Sequence, residues 1–228
     1  MHTDLAFAHG SETLLSSLAL MNNTGLPRSI MFCSSQPGEG KTTLATMLAL
    51  TAAKAEKRVL LVDADLRRPR IHKIFGVDNR CGLGEFLAGE VSVQDSISFQ
   101  RVTSTESPTE VHLGVMSSGT RHSAGFNQIE RTRFTDAVGE MTAMFDFVII
   151  DCPPVLAVSD ALFLAPAVEG VVFTVDAGAV SSKEAKLAKS RLEKTGARLL
   201  GFVMNRLDEK GGGVAYHPYH NSYCVPAP

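Results

Sequence analysis

Ser34-Ser35-Gln36-Pro37-Gly38-Glu39-Gly40-Lys41-Thr42-Thr43 lies between an apolar run, Ser29-Ile30-Met31-Phe32-Cys33, and an amphipathic stretch from Thr42 to Lys57. A strand, a glycine turn and a helix start, in that order, leave few folds open. Gly38 and Gly40 let the backbone bend with its N–H groups inward, and the helix that follows presents its positive end. Lys41 adds a point charge and Thr42 a hydroxyl, the pair that suits a phosphate chain and Mg2+. Ser35 stands where the usual pattern has its first glycine. A plain glycine turn before a helix is the bland alternative.

Two other runs bear on that alternative. Val59-Leu60-Leu61-Val62 leads into Asp63-Ala64-Asp65-Leu66-Arg67-Arg68-Pro69, and Phe147-Val148-Ile149-Ile150 leads into Asp151-Cys152-Pro153-Pro154. Open α/β sheets bind ligands at the carboxyl ends of their strands, and Asp151 is placed there to hold Mg2+ through its water shell. Any one of these aspartates fits a helix cap or a turn equally well. Strand ends that together supply a lysine, a threonine and carboxylates fit a metal-bound phosphate chain.

Val171-Val172-Phe173-Thr174-Val175 and Leu199-Leu200-Gly201-Phe202-Val203-Met204 are also short, continuous and apolar, as strands buried on both faces are. Ile129 to Met144 and Ser181 to Thr195 read as helices between them. The alternation predicts an α/β fold of the P-loop NTPase type, a mainly parallel β-sheet flanked by helices on both faces. Ser11 to Met21 predicts a further helix, capped by Ser11, ahead of the first strand. Ser117 to Asn127 predicts a surface loop near the nucleotide side of the sheet. With 228 residues, 44% of them apolar, a single domain is expected over 1–208. Gly211-Gly212-Gly213 breaks regular structure, and 209–228 reads as a flexible tail.

A formal net charge of −2 gives no pull toward nucleic acid, which is not an expected partner. No apolar run approaches the ~20 residues of a membrane span, and the start lacks a basic segment leading into an apolar one, so a cytoplasmic protein is expected. Cys33, Cys81, Cys152 and Cys224 form no CxxC pair and read as reduced thiols.

Taken in order, the three strand-end elements resemble the Walker A, Walker A′ and Walker B motifs of the bacterial tyrosine kinases, with Asp63-Ala64-Asp65-Leu66-Arg67 the discriminating one. The resemblance continues through Arg67 to Gly76, Gly82 to Glu90, and Pro153 to Ala161, and covers most of the chain from Ile30 to Asn205. It implies a protein-tyrosine autokinase of capsule and exopolysaccharide export that uses ATP and Mg2+. Lys41, Asp63, Asp65 and Asp151 would be catalytic, with Asp63 near the attacking hydroxyl or on the metal. Gly38, Glu39, Gly40, Lys41, Thr42 and Thr43, together with Arg67 and Asn205, would hold the nucleotide, Asn205 at the adenine. Thr42, Asp63 and Asp151 would hold the metal.

All three tyrosines, Tyr216, Tyr219 and Tyr223, fall in the tail, although a globular chain ordinarily spends some in its core. The resemblance makes them the phosphoacceptors. A phenol with a reference pKa of about 10 needs a carboxylate such as Asp63 to take its proton. A tail whose tyrosines and histidines do nothing is the plain alternative, and His217, His220 and Cys224 lack an ordered scaffold to ligate metal. Also implied are a separate membrane polysaccharide co-polymerase as activator, an opposing protein-tyrosine phosphatase, a homo-oligomer, and recruitment to the inner face of the membrane.

Two stretches depart from the family. Its first helix carries a Glu followed by alternating basic residues that meet the next subunit in a ring, whereas Glu12 is followed here by Thr13, Leu14, Leu15, Ser16, Ser17 and Leu18. That salt-bridged contact does not carry over, and the leucines offer an apolar one instead. After Val115, Arg121-His122-Ser123-Ala124-Gly125 replaces the usual Pro-Asn-Pro run. Two other functions compete: a partitioning or division-site ATPase switch, which would carry a second lysine where Gln36 stands, and an ATP-binding scaffold that transfers no phosphate.

Overall fold

Strand side chains alternate between the two faces of a sheet, so a run that is apolar at every position needs cover on both sides. The computed structural model describes residues 2–21, 25–102, 111–120 and 128–207, and supplies that cover for every such run except the last. Leu199 to Met204 lies at a sheet edge with Phe202 47% and Met204 49% exposed, not buried on both faces as expected. Helix α1 (His2–Leu20) precedes β1 (Ser29–Ser34), α2 (Lys41–Lys54) and β2 (Val59–Asp63). Two short helices follow, α3 (Ile71–Phe75) and α4 (Leu83–Leu87), and then β3 (Ile97–Val102) and β4 (Val111–Met116). The rest of the chain runs α5 (Gln128–Met144), β5 (Phe147–Asp151), α6 (Asp160–Leu164), β6 (Gly170–Asp176), α7 (Ser182–Glu193) and β7 (Leu199–Asn205).

The strands form one seven-stranded sheet in the order β3-β4-β2-β5-β1-β6-β7, parallel except where β3 runs against β4. Met31, Leu60, Val62, Val148 and Ile150 point to a face packed by Phe134 and Met141 of α5, Leu164 of α6 and Leu192 of α7. Their neighbours Ile30, Phe32, Leu61, Phe147 and Ile149 point to the other face, onto Leu18 of α1, Ala45, Leu48 and Ala49 of α2 and Ile71 of α3. Among the described residues no helix is long and apolar enough to cross a membrane.

Three further expectations need correction. Helix α1 begins at His2, so Ser11 does not cap it; Ser11 is buried mid-helix and shares a 2.7 Å hydrogen bond with the Thr51 hydroxyl of α2. Leu14, Leu15 and Leu18 do not form an outward apolar face. Leu18 is buried and the other two pack on the α2 side of the sheet, because burying them against α2 removes apolar area from water within the chain itself. The expected surface loop starts buried: the Ser117 and Ser118 carbonyls accept from Leu83 N and Gly84 N, at 2.8 and 2.9 Å. Its remainder, 121–127, and the tail with its three tyrosines lie outside the described residues.

Candidate functional site

Strands β2, β5 and β1 are adjacent and parallel, so their carboxyl ends come to one edge of the sheet. Asp151 is in register with Phe32 of β1 on one side and Asp63 of β2 on the other. Three sequence-distant elements thereby converge on a cavity of about 480 Å3, lined by Gly38, Gly40, Lys41, Thr42, Thr43, Asp65, Arg67, Arg68, Arg70 and Arg206 among others.

The loop after β1 turns through Gly38 and Gly40, whose φ values of 90° and 95° suit glycine, and Gly40 is the N-cap of α2. Its walls are built from buried polar groups. Glu39 Oε1 accepts from Ser35 Oγ at 2.7 Å and from Gln36 N, while Oε2 accepts from Asp176 N at 3.2 Å. The Glu39 side chain thus braces the loop from inside and does not line the cavity, and Ser35 contributes to that brace. Gln36 Nε2 donates to Glu184 Oε1 of α7 at 3.3 Å. Asn205, at the end of β7, donates from Nδ2 to the Glu39 carbonyl at 3.0 Å. It sits against Gly40, where a Cβ would come 2.1 Å from that nitrogen, so its observed role is as a wall of the phosphate loop.

Lys41 and Thr42 open α2 facing the carboxylates. Lys41 Nζ lies 3.7 Å from Asp65 Oδ2 and 3.8 Å from Asp151 Oδ1. Burial alone would lower the Lys41 pKa, but Asp151 and Asp65 outweigh it and hold the ammonium above its ordinary value. Thr42 Oγ1 donates to Asp151 Oδ2 at 2.6 Å. The other oxygen, Asp151 Oδ1, is buried without a hydrogen-bond partner, an arrangement suited to accepting from a water on a hydrated cation. No cluster of three or more His, Cys, Asp or Glu stands ready for a metal among the described residues.

Asp63 and Asp65 play different parts. Both Asp63 oxygens accept backbone N–H groups, Oδ1 from Asp65 at 3.2 Å and Oδ2 from Arg70 and Ile71 at 2.9 Å each. Asp63 thus ties down the turn that enters α3, the capping role open to any single aspartate, and it does not line the cavity. Burial first, then Asp151, raises its pKa to about 7 against the pull of those amides. Asp151 is raised to about 6 by burial, with Lys41 and the Thr42 hydroxyl pulling it down. Asp65 lines the cavity and accepts from Arg68 N at 3.0 Å. Arg67 also lines it, and its guanidinium is paired with buried Asp160, Nε to Oδ2 at 2.9 Å.

Sequence reasoning missed Asp176, which ends β6 as Asp63 and Asp151 end their strands. Its carboxylate is ion-paired with Arg206, which lines the cavity. The strand-end carboxylate was the signal that would have found it. Arg68 and Arg70 stood in the same basic run as Arg67 and were passed over.

The chain is similar to several known proteins. The model of a family described as an AAA domain matches residues 27–189. Tyrosine-protein kinase YwqD of Bacillus subtilis is 35% identical over 178 residues, 78% of this chain and 72% of that one. The solved kinase domain of Escherichia coli tyrosine kinase ETK is similar with a TM-score of 0.78 at 29% identity, covering 92% of this chain and 79% of that one. The Pyrococcus furiosus cell division ATPase MinD is similar in fold alone, with a TM-score of 0.65 at 24% identity over 88% of this chain and 81% of that one.

Proposed function

This chain belongs to the bacterial tyrosine-protein kinases, and from that premise we propose that it transfers the γ-phosphoryl group of ATP to Tyr216, Tyr219 and Tyr223 of its own sequence. The observation that carries the reading is the convergence of Lys41, Thr42, Asp65 and Asp151 at one strand edge, around a cavity walled by the glycine loop. Phosphoryl transfer asks a protein mainly to position groups and to take up charge, and these side chains are fitted to both.

Each residue has a role in this reading. Backbone N–H groups of the Gly38 to Thr43 loop and the positive end of α2 cradle the phosphates, and Lys41 takes up negative charge as the bond to the bridging oxygen breaks. Thr42 and Asp151 would hold Mg2+, which would supply neutralisation of the phosphate oxygens. Asp65, which faces the cavity, accepts the proton as the phenol oxygen bonds to the γ-phosphorus and ADP leaves. Asp63 fixes the turn that carries Asp65. This moves to Asp65 the part near the attacking hydroxyl that the resemblance gave Asp63, because Asp63 is buried under its own amide bonds.

The polysaccharide co-polymerase partner, the opposing phosphatase, self-assembly, and recruitment from the cytoplasm to the membrane belong to the same reading and rest on family membership. The test is mass spectrometry after incubation with Mg2+ and ATP. Phosphate on Tyr216, Tyr219 or Tyr223 that disappears with Lys41→Met is the expected result. ADP release without phosphotyrosine would point instead to the ATPase switch, and neither product to the scaffold.

A further inference from the structure

Beside the phosphate cavity lies a second, more open groove of about 790 Å3. The two share Thr42, Thr43, Arg67, Arg68 and Arg70 as a common wall. The far side of the groove is formed by Pro69, His72, Lys73 and Ile74. Its charge is one-sided. Arg68, Arg70 and Lys73 are exposed, and none of the three is ion-paired among the described residues. The aspartates nearby are already engaged: Asp63 with backbone amides, Asp65 with Arg68 N and Lys41, Asp160 with Arg67. His72 also lines the groove, with its Nδ1 buried and without a hydrogen-bond partner. Ile74, 51% exposed, and Pro69 put apolar surface next to those cations.

A groove that pairs guanidinium and ammonium groups with a small apolar wall suits an aromatic ring that carries a phosphate dianion. The dianion takes charge-assisted hydrogen bonds from arginine, and the ring takes the apolar surface. The sequence contains a source of such a group within a few residues of each acceptor, because Tyr216, Tyr219 and Tyr223 are spaced by three and four positions. We propose that the Arg68, Arg70 and Lys73 groove binds a phosphotyrosine of the C-terminal segment and so presents a neighbouring tyrosine to the phosphate cavity.

This rests on the kinase reading for the origin of the phosphate. The consequence is priming: in an extended segment three residues span about 10 Å, the scale of two cavities that share a wall. The first phosphate on the cluster would be slow to arrive and the later ones faster.

A binding experiment without ATP separates this inference from the kinase reading. The full chain carrying Tyr216→Phe, Tyr219→Phe and Tyr223→Phe is titrated with a fluorescent peptide of residues 212–228, either unmodified or phosphorylated on Tyr219. The expected result is binding about ten-fold tighter for the phosphopeptide, a gain abolished by Arg70→Gln with Lys73→Gln. Lys73→Glu alone should weaken it too, which guards against a folding defect in the double variant. Equal affinity for the two peptides would overturn the proposal. So would displacement of the phosphopeptide by inorganic phosphate as readily as by phosphotyrosine, or a gain that survives the substitutions. If binding behaves as expected but Lys41→Met leaves tyrosine phosphorylation unchanged, the groove stands and the kinase reading falls.

Discussion

Asp63 and Asp151 are directly paired in the register of β2 and β5, which sets two buried carboxylates side by side beneath the phosphate loop. Both pKa values are raised above the ordinary 3.8, Asp63 to about 7 and Asp151 to about 6, with burial the largest cause in each. The folded chain therefore binds more protons than the unfolded chain between about pH 4 and pH 7. Stability from this pair is full below the unfolded pKa and is lost as pH rises through the folded values. Without nucleotide or Mg2+, the melting temperature of the chain should fall from pH 5 to pH 7.5. The slope from one group cannot exceed about 1.4 kcal/mol per pH unit. Asp63→Asn should flatten the curve, and an unchanged slope in that variant would remove the pair as its cause.

The contact between Gly40 and Asn205 gives a second prediction. An added Cβ at Gly40 would meet both a φ of 95° and the Asn205 amide at 2.1 Å. Gly40→Ala should cost about 1–3 kcal/mol in urea unfolding and weaken nucleotide binding, since the loop must deform to admit the methyl group. Asn205→Ala alone should cost about 1 kcal/mol for its bond to the Glu39 carbonyl. Combined, the two should cost less than their sum, because the second removes what the first strikes. Strict additivity in the double-mutant cycle would disprove the steric account.

Glu39 is the brace of the loop, so its removal should act on nucleotide affinity without removing any charge from the cavity wall. Glu39→Ala strands Ser35 Oγ, Gln36 N and Asp176 N, at a cost of about 1–3 kcal/mol per unsatisfied buried donor and less where water enters. Calorimetric titration with ATP and Mg2+ should give weaker binding than wild type. Equal affinity would mean that the loop holds its shape unaided.

Helix α1 makes a simpler case. Leu18 is 2% exposed and Leu20 is 86% exposed. Leu18→Ala should destabilise the chain by about 2–5 kcal/mol, whereas Leu20→Ala should stay within about 0.5 kcal/mol. Similar effects from both would mean that α1 does not pack on α2 in solution.

How far the sequence reveals this molecule depends on how each part is buried. β1, β2, β5 and β6 were legible because an unbroken apolar run needs cover on both faces; β7 carries such a run too, but as an edge strand it is covered on one face only. β3 was not, since it is an edge strand whose Phe99 is 59% exposed and whose polar residues interrupt the run. β4 was hidden by His112 and Gly114. Gly114 is there for packing: a Cβ would lie 3.0 Å from the Phe145 ring, which stacks with Phe99 across the same edge.

At the site, Lys41, Thr42 and Asp151 were legible from a strand, loop and helix order that admits few alternatives. The division of labour between Asp63 and Asp65 was not. It depends on where β2 stops: Asp63 is its last residue and stays under the sheet edge, while Asp65 turns out with the loop. Two positions of sequence carry no mark of that turn. The brace from Glu39 was equally hidden, because its partners Ser35, Gln36 and Asp176 come together only through the fold.

Asn205 and the Glu39 carbonyl it supports are separated by 166 residues. A chain emerging from the ribosome therefore exposes its glycine loop long before the support for that loop has been made. The wall of the loop is finished only with the last strand of the sheet, so a nascent chain halted short of β7 would hold its glycine turn without the Asn205 contact.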